Sequence, residues 1–588
     1  MRYIFYTLLG FFLLFGVTLN AQEREESNTT ILRIEGQKHF TLTELEEVAG
    51  GVSQKHFWQS DEGNYTIDRK LIPSLEMTLK QFYASEGFYT AKVTLQSSSS
   101  YLLVKIDEGL PVRVSEIKIE SNYPIASLIP FKKGDIFRAK AFIASKNNII
   151  TQLINDGYCS YSLDTKAYVD IKKHTVSLVY LLDKGGVCRF GETTIKGLEG
   201  IDAEIVRSRV VAKKGERFDP KKLKESYAGI YGLDAFDSVL IHTDRKFYNE
   251  VPVDIDVQML TKPYHYEVGA GYDTFVGTRV HGSLTKRNFL GNAQKVHLRA
   301  SWSQKEQLLS AKLIKPDVFS LWDFPLDLGS SVGYSNLEYT GFQEKKGYLN
   351  TYLEHNEGRL KAKLGWAFEN IDITLLSNLS ENEELEQAVK AGNFVLFYPY
   401  LNLVYDKRDD PLNPKYGYYL RAYLEYGLPL TSDASAYLKT LFEGRYIDSF
   451  GDLTLAGVAK VGTIEKGIHD IPESKYFFAG GSYYNRAYGY NKLGVILSPT
   501  EDTIHGGSTL LNFSFEADYP IVGELYGALF SDNTMLTESS YDFSGEYVQS
   551  VGVGVRYMTP IGPFKLDVGW NIYDRSIYGI SFQIGQSF

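Results

Sequence analysis

The chain has 588 residues, with 62 Lys and Arg against 72 Asp and Glu and a formal net charge of −10. This acidic balance, without a Lys/Arg-rich run, excludes the basic face that nucleic-acid binding requires. Aromatic residues at 14% and hydrophobic residues at 44% exclude a disordered chain. Two cysteines cannot form a four-cysteine metal site, and no C-x-x-C or H-E-x-x-H spacing occurs. We therefore expect neither a metal nor another cofactor.

The first residues have the pattern of a secretory signal peptide. Arg2 precedes an apolar run over residues 4–17, and the sequence favours cleavage after Ala21. We expect residues 1–21 to be removed. An uncleaved membrane anchor is the alternative, but the apolar run is short for a spanning helix of about 20 residues. The chain after residue 22 contains no apolar stretch of about 18 residues, so we predict no membrane-spanning helix.

Residues 29–260 repeat a pattern of about 75 residues three times. Each unit begins with a predicted strand, at residues 31–34, 114–119 and 193–195. Apolar residues at helical spacing follow, such as Leu75 and Leu79 in the first unit. A two-stranded hairpin ends each unit.

This order of a strand, two helices and a hairpin resembles the POTRA domain, a periplasmic module that precedes outer-membrane assembly barrels. The resemblance implies that the three units receive unfolded client chains or partner proteins by adding a strand to a sheet edge. Passive spacers between other domains are the alternative.

The two cysteines fall in and after the second unit. We place Cys159 at the start of that unit's second strand and Cys188 just past the end of its third. Antiparallel pairing would bring these two strand ends together, so a disulfide is geometrically plausible in an oxidising periplasm. Two buried free thiols are the alternative.

Beyond Tyr264 the sequence alternates with a period of two residues. In the segment 509–519, Glu516 lies on a polar face, and Phe513 and Phe515 lie on the apolar one. An apolar face toward lipid and a polar face toward a wet lumen explain this division. The region's length matches roughly 16 strands with their connections; a soluble β-sandwich is the alternative.

The predicted fold class is therefore a set of α+β tandem POTRA domains followed by an all-β transmembrane barrel of about 16 antiparallel strands. The predicted divisions are a signal peptide (1–21), POTRA-like domains (22–110, 111–185 and 186–261) and an outer-membrane barrel (262–588).

The segment 480–490 reads GGSYYNRAYGY. It resembles the sixth loop of the BamA and TamA superfamily, where an Arg-Gly-aromatic triplet follows a Gly-Gly-Ser lead. Arg486, Ala487 and Tyr488 take the places of that triplet, with alanine in place of the glycine. The resemblance implies that the loop folds into the barrel and that Arg486 meets Glu516 and Asp532 on the inner wall. If the backbone at Ala487 needs a positive φ, alanine would be strained there.

The two ends of the barrel sequence are also informative. The first strand, near 264–272, must pair with the last, near 576–588, and in the resembled family this seam is weak. The candidate seam residues are four glycines and a terminal aromatic, namely Gly269, Gly271, Gly579, Gly585 and Phe588. Glycine weakens a strand interior, but lumen-facing positions that need no bulk are an alternative explanation. Phe588 ends an alternating strand, which resembles the signal that barrels present to their assembly machinery.

The resemblance implies an assembly factor of a Gram-negative outer membrane, closest to TamA-like members because it has three POTRA-like units. The POTRA-like domains would face the periplasm, and client strands would enter the membrane at the seam. The implied partners are unfolded outer-membrane proteins, a TamB-like protein anchored in the inner membrane, and outer-membrane lipid.

Other functions are open at this point. A dedicated exporter of one secreted partner, or phospholipid transport with an inner-membrane-anchored partner, are alternatives, and a passive pore would leave the POTRA-like units unexplained. We predict no enzymatic activity, because no G-x-S-x-G elbow precedes a helix and no nucleophile stands out with a histidine and an acid.

Overall fold

The structure of the protein is a computed structural model. It describes residues 29–53, 65–98, 100–244, 249–273, 277–321, 324–339, 341–376, 389, 391–431, 434–469, 471–498, 503–559 and 562–584. The predicted signal peptide lies outside these ranges.

The chain forms two compact units. The first comprises Met1–Glu192, Lys214–Pro220 and Asp244–Pro252, and the second comprises Thr193–Lys213, Lys221–Thr243 and Val253–Phe588. Within the described ranges, no helix has the length and apolar character needed to cross a bilayer. The domain boundaries proposed from the sequence stay predictions.

The first sheet contains five strands. They are β1 (Thr29–Glu35), β2 (Val52–Ser53), β3 (Tyr65–Asp68), β4 (Lys92–Ser97) and β5 (Tyr101–Asp107), in the order β2-β3-β1-β5-β4. Helices α1 (Leu42–Val48) and α2 (Ile72–Ser85) accompany it, and α1 begins with a capping box between Thr41 and Glu44. Leu75 and Leu79 of α2 are buried in the core, as their spacing predicts. Strands β2 and β3 were not predicted from the sequence.

The second sheet contains β6 (Arg113–Ser121), β7 (Ser162–Asp170) and β8 (Thr175–Asp183), in the order β6-β8-β7. Strand β6 runs parallel to β8, and β7 pairs with β8 as an antiparallel hairpin. Helix α3 (Ala139–Asn155) is present, but the other predicted helix is only a single 3₁₀ turn, Ala126–Leu128. Pro124 and Pro130 flank that turn and leave too few residues for an α-helix.

The third sheet contains β9 (Arg189–Lys196), β10 (Phe236–Thr243) and β11 (Glu250–Met259), in the order β10-β11-β9. Two helices, α4 (Ala203–Arg207) and α5 (Pro220–Gly232), lie between β9 and β10 in the chain. This unit has the predicted order of a strand, two helices and a hairpin.

Cys159 and Cys188 are joined by a disulfide, with Cα atoms 5.9 Å apart. Cys159 precedes β7 by three residues instead of beginning it, and Cys188 directly precedes β9. The antiparallel pairing of Ser162 with Asp183 brings the start of β7 to the end of β8. The bridge therefore closes the second sheet at the point where the chain passes to the third.

The C-terminal sheet has 16 antiparallel strands in chain order, the predicted number. The strands are β12 (Tyr264–Asp273), β13 (Gly277–Lys286), β14 (Lys295–Ser303), β15 (Glu306–Leu321), β16 (Phe324–Glu338), β17 (Phe342–Asn356), β18 (Leu360–Leu375), β19 (Gly392–Asp406), β20 (Gly417–Pro429), β21 (Tyr437–Phe450), β22 (Leu453–Lys466), β25 (Thr509–Val522), β26 (Leu525–Thr537), β27 (Val548–Tyr557), β28 (Phe564–Asn571) and β29 (Tyr578–Ile584). A separate hairpin, β23 (Val495–Ser498) with β24 (Thr503–His505), lies in the connection between β22 and β25.

The period-two alternation separates an outer face from an inner face. On β27, Val553 and Val555 are exposed, whereas Gly554 and Arg556 are on the opposite face and Arg556 is fully buried. A hydrophobic core on the inner side combines residues of the strands with residues of the connection between β22 and β25. Side chains therefore fill the lumen where the connection between β22 and β25 packs against the strands.

Glu108 is a buried acid of the first unit. Its Oε1 accepts hydrogen bonds from the backbone N–H groups of Lys38 (2.8 Å) and His39 (3.2 Å) and from the Tyr83 hydroxyl (3.1 Å). Its Oε2 lies 2.7 Å from Nδ1 of His39. Burial acts to raise the pKa of Glu108, but these donors together hold the pKa below its usual range.

We expect Glu108→Gln to destabilise the first unit at pH 7 by about 1–3 kcal/mol, because donors that face a carboxylate lose their charged partner. Because the pKa of Glu108 is lower in the folded state, its ionisation stabilises the folded state at a pH above the unfolded-state pKa of about 4.3. This contribution is lost as the pH falls through the folded-state pKa. The difference from wild type should therefore shrink at pH 3.5. Hydrogen exchange of the β1 and β5 amides in the full-length protein measures this loss of stability. The exposed substitution Glu47→Gln is the control. Equal protection of Glu108→Gln and wild type at pH 7 would contradict the expectation.

Candidate functional site in the barrel lumen

The connection between β22 and β25, residues 467–508, is called the lumen loop, and its described residues, 467–469, 471–498 and 503–508, are folded. Its backbone pairs Phe477 with Gly507 and Ala479 with Leu493, so that it folds back on itself. Phe477, Phe478 and Ile504 are buried in the inner core of the sheet. The loop therefore occupies the inside of the barrel and turns at residues 481–490.

Arg486 lies at the turn of the lumen loop and is 4% exposed. Its Nε and Nη2 donate to the two carboxylate oxygens of Asp532 (3.0 and 2.9 Å), and its Nη1 donates to Glu516 (2.5 Å). Asp567 lies 3.6 Å from Nη1, and the Phe530 ring centroid lies 3.4 Å from Cζ. The structure thus brings together the three residues that the sequence motif suggested, and adds Asp567 and Phe530, which were missed.

Two further buried cations extend this ion cluster. Arg556 of β27 lies 2.5 Å from Asp567 and 3.1 Å from Glu516, and Lys565 of β28 lies 3.5 Å from Glu516. Arg556 and Lys565 were not predicted from the sequence, although both lie on the small or polar face of their alternating strands. Buried charges need partners of opposite sign, so the cluster ties β25, β27 and β28 together.

The rest of the turn is held by further hydrogen bonds to the barrel. Asn485 is fully buried, accepts from Ser550 Oγ (2.7 Å) and donates to the Val548 carbonyl (3.1 Å). The Tyr488 hydroxyl accepts from Asn571 (2.7 Å). Two wall side chains donate to turn carbonyls, Lys460 to Tyr483 (2.6 Å) and Asn512 to Tyr484 (2.8 Å). Residues 483–488 are therefore bound to β22, β25, β26, β27 and β28.

Ala487 is buried and does not occur among the described non-glycine residues that have a positive φ. Alanine in place of the family glycine is therefore free of the strain that a left-handed backbone would impose. Its N–H donates to the side chain of Asn485 (3.3 Å).

Two paired glycines lie beneath the turn. Gly569 of β28 is opposite Gly579 of β29. A Cβ on Gly579 would lie 2.4 Å from the Arg486 carbonyl oxygen, and one on Gly569 would lie 3.0 Å from the Arg486 carbonyl carbon. Both glycines therefore allow the loop backbone to approach the wall, which extends the contacts of the turn to β29.

The other candidate seam residues are placed as follows. Gly269 is opposite His281, whose ring would lie 2.2 Å from a Cβ at this position, and Gly271 pairs with Arg279. Gly585 and Phe588 lie outside the described residues. Strands β12 and β29 are the two ends of the sheet order, and among the described residues no ladder joins them. That these positions form a weak seam stays a prediction.

Arg209, which follows α4, makes an ionic contact at the edge of the barrel. It is 2% exposed and donates to Asp327 of β16 and to Glu357, which follows β17. Nearby, the Asn292 N–H donates to the Gly200 carbonyl (3.0 Å). The third sheet's α4 region is thus fastened to the barrel turns within the second unit, a contact that the sequence did not indicate.

The barrel region matches the family model of the Omp85 superfamily domain over residues 288–588, just over half of the chain. The chain belongs to the Omp85 superfamily. A second family model, the POTRA domain described as surface antigen variable number repeat, matches residues 112–185 of this Omp85 protein. Its location is the outer membrane, with the POTRA domains in the periplasm.

Relatives and solved structures agree with this assignment. The Omp85 protein is 20% identical to the outer membrane protein assembly factor BamA of Nitratidesulfovibrio vulgaris, over 94% of this chain and 72% of that protein. It is also 20% identical to BamA of Neisseria meningitidis serogroup B, over 97% of this chain and 80% of that protein. The crystal structure of Haemophilus ducreyi BamA lacking POTRA domains 1–3 superposes with a TM-score of 0.56 at 15% identity, covering 81% of this chain and all of that one. Both sequence relatives are named outer membrane protein assembly factors, and closeness to TamA-like members stays a prediction.

We expect Gly579→Ala to displace the turn of the lumen loop, because the new Cβ meets backbone atoms that have no room to move aside. Hydrogen exchange at Ala479 and Leu493, whose amides pair within the loop, should become at least several-fold faster. Gly457→Ala in β22 is the matched control, since its Cβ would make an ordinary 3.8 Å contact with Phe515. Unchanged exchange in Gly579→Ala would show that the loop does not depend on this close approach.

Proposed function

We propose that this Omp85 protein inserts outer-membrane proteins into the membrane. In this proposal the POTRA domains receive unfolded clients, and the barrel releases them through a seam between β12 and β29. The observation that carries it is the turn at residues 483–488. This turn contacts six strands that are consecutive in the sheet order, namely β22, β25, β26, β27, β28 and β29. The strand that ends this fastened block is β29, one side of the proposed seam.

The lengths of the strands support a weak point at this place. Strand β14 has 9 residues, β27 has 10 and β28 has 8. The strands from β15 to β26 in the barrel have 13 to 16. These three strands lie toward the two ends of the sheet order and therefore offer fewer backbone hydrogen bonds to their neighbours than the strands in its middle.

A strand edge at this seam is suited to a client strand. An unpaired edge presents a row of backbone N–H and C=O groups that templates pairing. Backbone polar groups cannot enter lipid unsatisfied, so a client strand that pairs at the edge can leave the lumen with its backbone bonded. The backbone hydrogen bonds that the client strand forms at the edge are the physical reason why insertion would proceed at the seam.

The ion cluster would give the seam a fixed side. Arg486, together with Glu516 and Asp532, holds the loop against the strands that lead to β29, and Ala487 and Tyr488 continue the contact. A rigid β29 edge would present its backbone in one register to incoming strands, while β12 has no such attachment to the turn among the contacts described.

The POTRA domains would act on clients before the barrel does. In the second sheet, β6 and β7 are the outer strands. The start of β6 already pairs with residues 134–136, so the proposed place for strand addition is the outer edge of β7. We propose unfolded outer-membrane proteins as the clients, and a TamB-like protein anchored in the inner membrane as a partner that the three POTRA domains would meet. Outer-membrane lipid surrounds the barrel in this proposal.

Depletion of the protein, followed by quantitative proteomics of outer membranes and culture medium, tests this function. We expect several barrel proteins to be lost from the outer membrane and to return when wild type is restored. An Arg486→Ala variant should restore them poorly, because Asp532, Glu516 and Asp567 each lose a contact with the cation that holds the turn to the wall, whereas exposed Arg575→Ala should restore them fully.

Two other outcomes of this experiment would replace the proposal. Loss of a single secreted protein from the medium, with the membrane proteome intact, would indicate a dedicated exporter. An unchanged proteome with altered outer-membrane phospholipid would indicate phospholipid transport with an inner-membrane-anchored partner.

A further inference from the structure

A second buried ion cluster lies in the lumen, away from Arg486. Lys475 belongs to the lumen loop, in the 3₁₀ turn Glu473–Lys475, and is 8% exposed. Its Nζ lies 2.7 Å from Glu369 of β18 and 3.5 Å from Glu425 of β20. Both carboxylates are themselves buried.

Tyrosines complete the shell around Lys475. The Tyr398 hydroxyl donates to Glu369 (2.7 Å), and the hydroxyls of Tyr423 (2.5 Å) and Tyr437 donate to Glu425. The Nζ of Lys475 also lies 4.2 Å from the Tyr398 ring centroid. Four consecutive strands, from β18 to β21, therefore contribute side chains to a site built around one cation.

The backbone next to Lys475 is held as well. Lys439 of β21 donates to the Lys475 carbonyl (2.5 Å). Two residues earlier, Glu473 accepts from the Gly506 N–H (2.7 Å) and lies 2.8 Å from Nδ1 of His505. The first part of the lumen loop is thus bound to the wall on one side and to its own last part on the other.

The two ion clusters contact different parts of the sheet. Strands β18 to β21 are seventh to tenth in the sheet order, whereas β25 to β28, which carry the ion cluster of Arg486, are twelfth to fifteenth. Only eleven positions separate Lys475 from Arg486 in the chain. A charge withdrawn from water must keep its partners, so neither end of this short segment can leave its cluster without exposing buried carboxylates.

We propose that Lys475 is a positioning residue that anchors the lumen loop to the β18–β21 wall, independently of the Arg486 cluster. The loop is then held to the barrel wall by ion pairs at two points, Lys475 and Arg486. Movement of the β25–β29 block relative to β18–β21 requires Lys475 to leave Glu369 and Glu425, or Arg486 to leave its own carboxylates. The contacts of Lys475 lie within the barrel, so this anchoring does not rest on the function proposed above.

Cysteine accessibility in the full-length protein in cells tests this. Ala479 is fully buried between the two anchors, so Ala479→Cys should react slowly with a bulky, membrane-impermeant maleimide. Cys159 and Cys188 are bridged and should not react. Adding Lys475→Met should accelerate labelling at least tenfold, because the loop leaves the wall, whereas Lys492→Met, an exposed lysine of the same loop, should not.

A second variant separates the tie from the mere burial of unpaired charge. Lys475→Met with Glu369→Gln and Glu425→Gln removes the cation and both carboxylates together. We expect the barrel to fold, judged by its heat-modifiable mobility in SDS, and Ala479→Cys to be labelled several-fold faster than with wild-type anchors. Lys475→Arg, which keeps the charge, should restore slow labelling.

The proposal would be overturned by either of two results. Labelling of the triple variant at the wild-type rate would mean that apolar packing alone positions the loop. Failure of both Lys475 variants to give a heat-modifiable barrel would mean that the lysine serves barrel folding and not the position of the loop.

Discussion

The burial of a guanidinium inside a protein that spans a membrane is the constraint on which the site depends. Arg486 has left water and can be stable only among carboxylates. Glu516 and Asp532 supply hydrogen bonds, Asp567 adds a third negative charge, and Phe530 covers the cation. Because these partners come from separate strands, one side chain of the lumen loop fixes the relative positions of much of the C-terminal wall.

Close packing of the backbone follows from that placement. The loop can bring Arg486 to its carboxylates only if its own main chain lies on the wall, and the glycine pair Gly569 and Gly579 leaves the space for it. The loop backbone therefore lies on the wall through one set of contacts. This set comprises the ionic contact of Arg486, the two glycines and Ala487. Lys475 supplies the corresponding contact on the other part of the sheet, where tyrosine hydroxyls orient its two carboxylates.

The sequence predicted the elements whose signal is local and periodic. Alternation with a period of two gave the 16-stranded barrel, and the motif around Arg486 led to Glu516 and Asp532 through a family resemblance. Asp567 and Lys475 could not be found in this way, because their partners are set by how far each strand is shifted against the next. The missing helix of the second POTRA domain was a different error, since its flanking prolines were legible in the sequence.

The order of the anchors along the chain carries a consequence for biogenesis. The acidic partners of Lys475 precede it, whereas those of Arg486 all follow it, the last at Asp567. A nascent barrel that ends before β25 can dock the first part of the loop at Glu369 and Glu425 but offers Arg486 none of its three carboxylates. The full set of carboxylates around the charge that the loop carries into the interior is therefore complete only once β28, which holds Asp567, has been made.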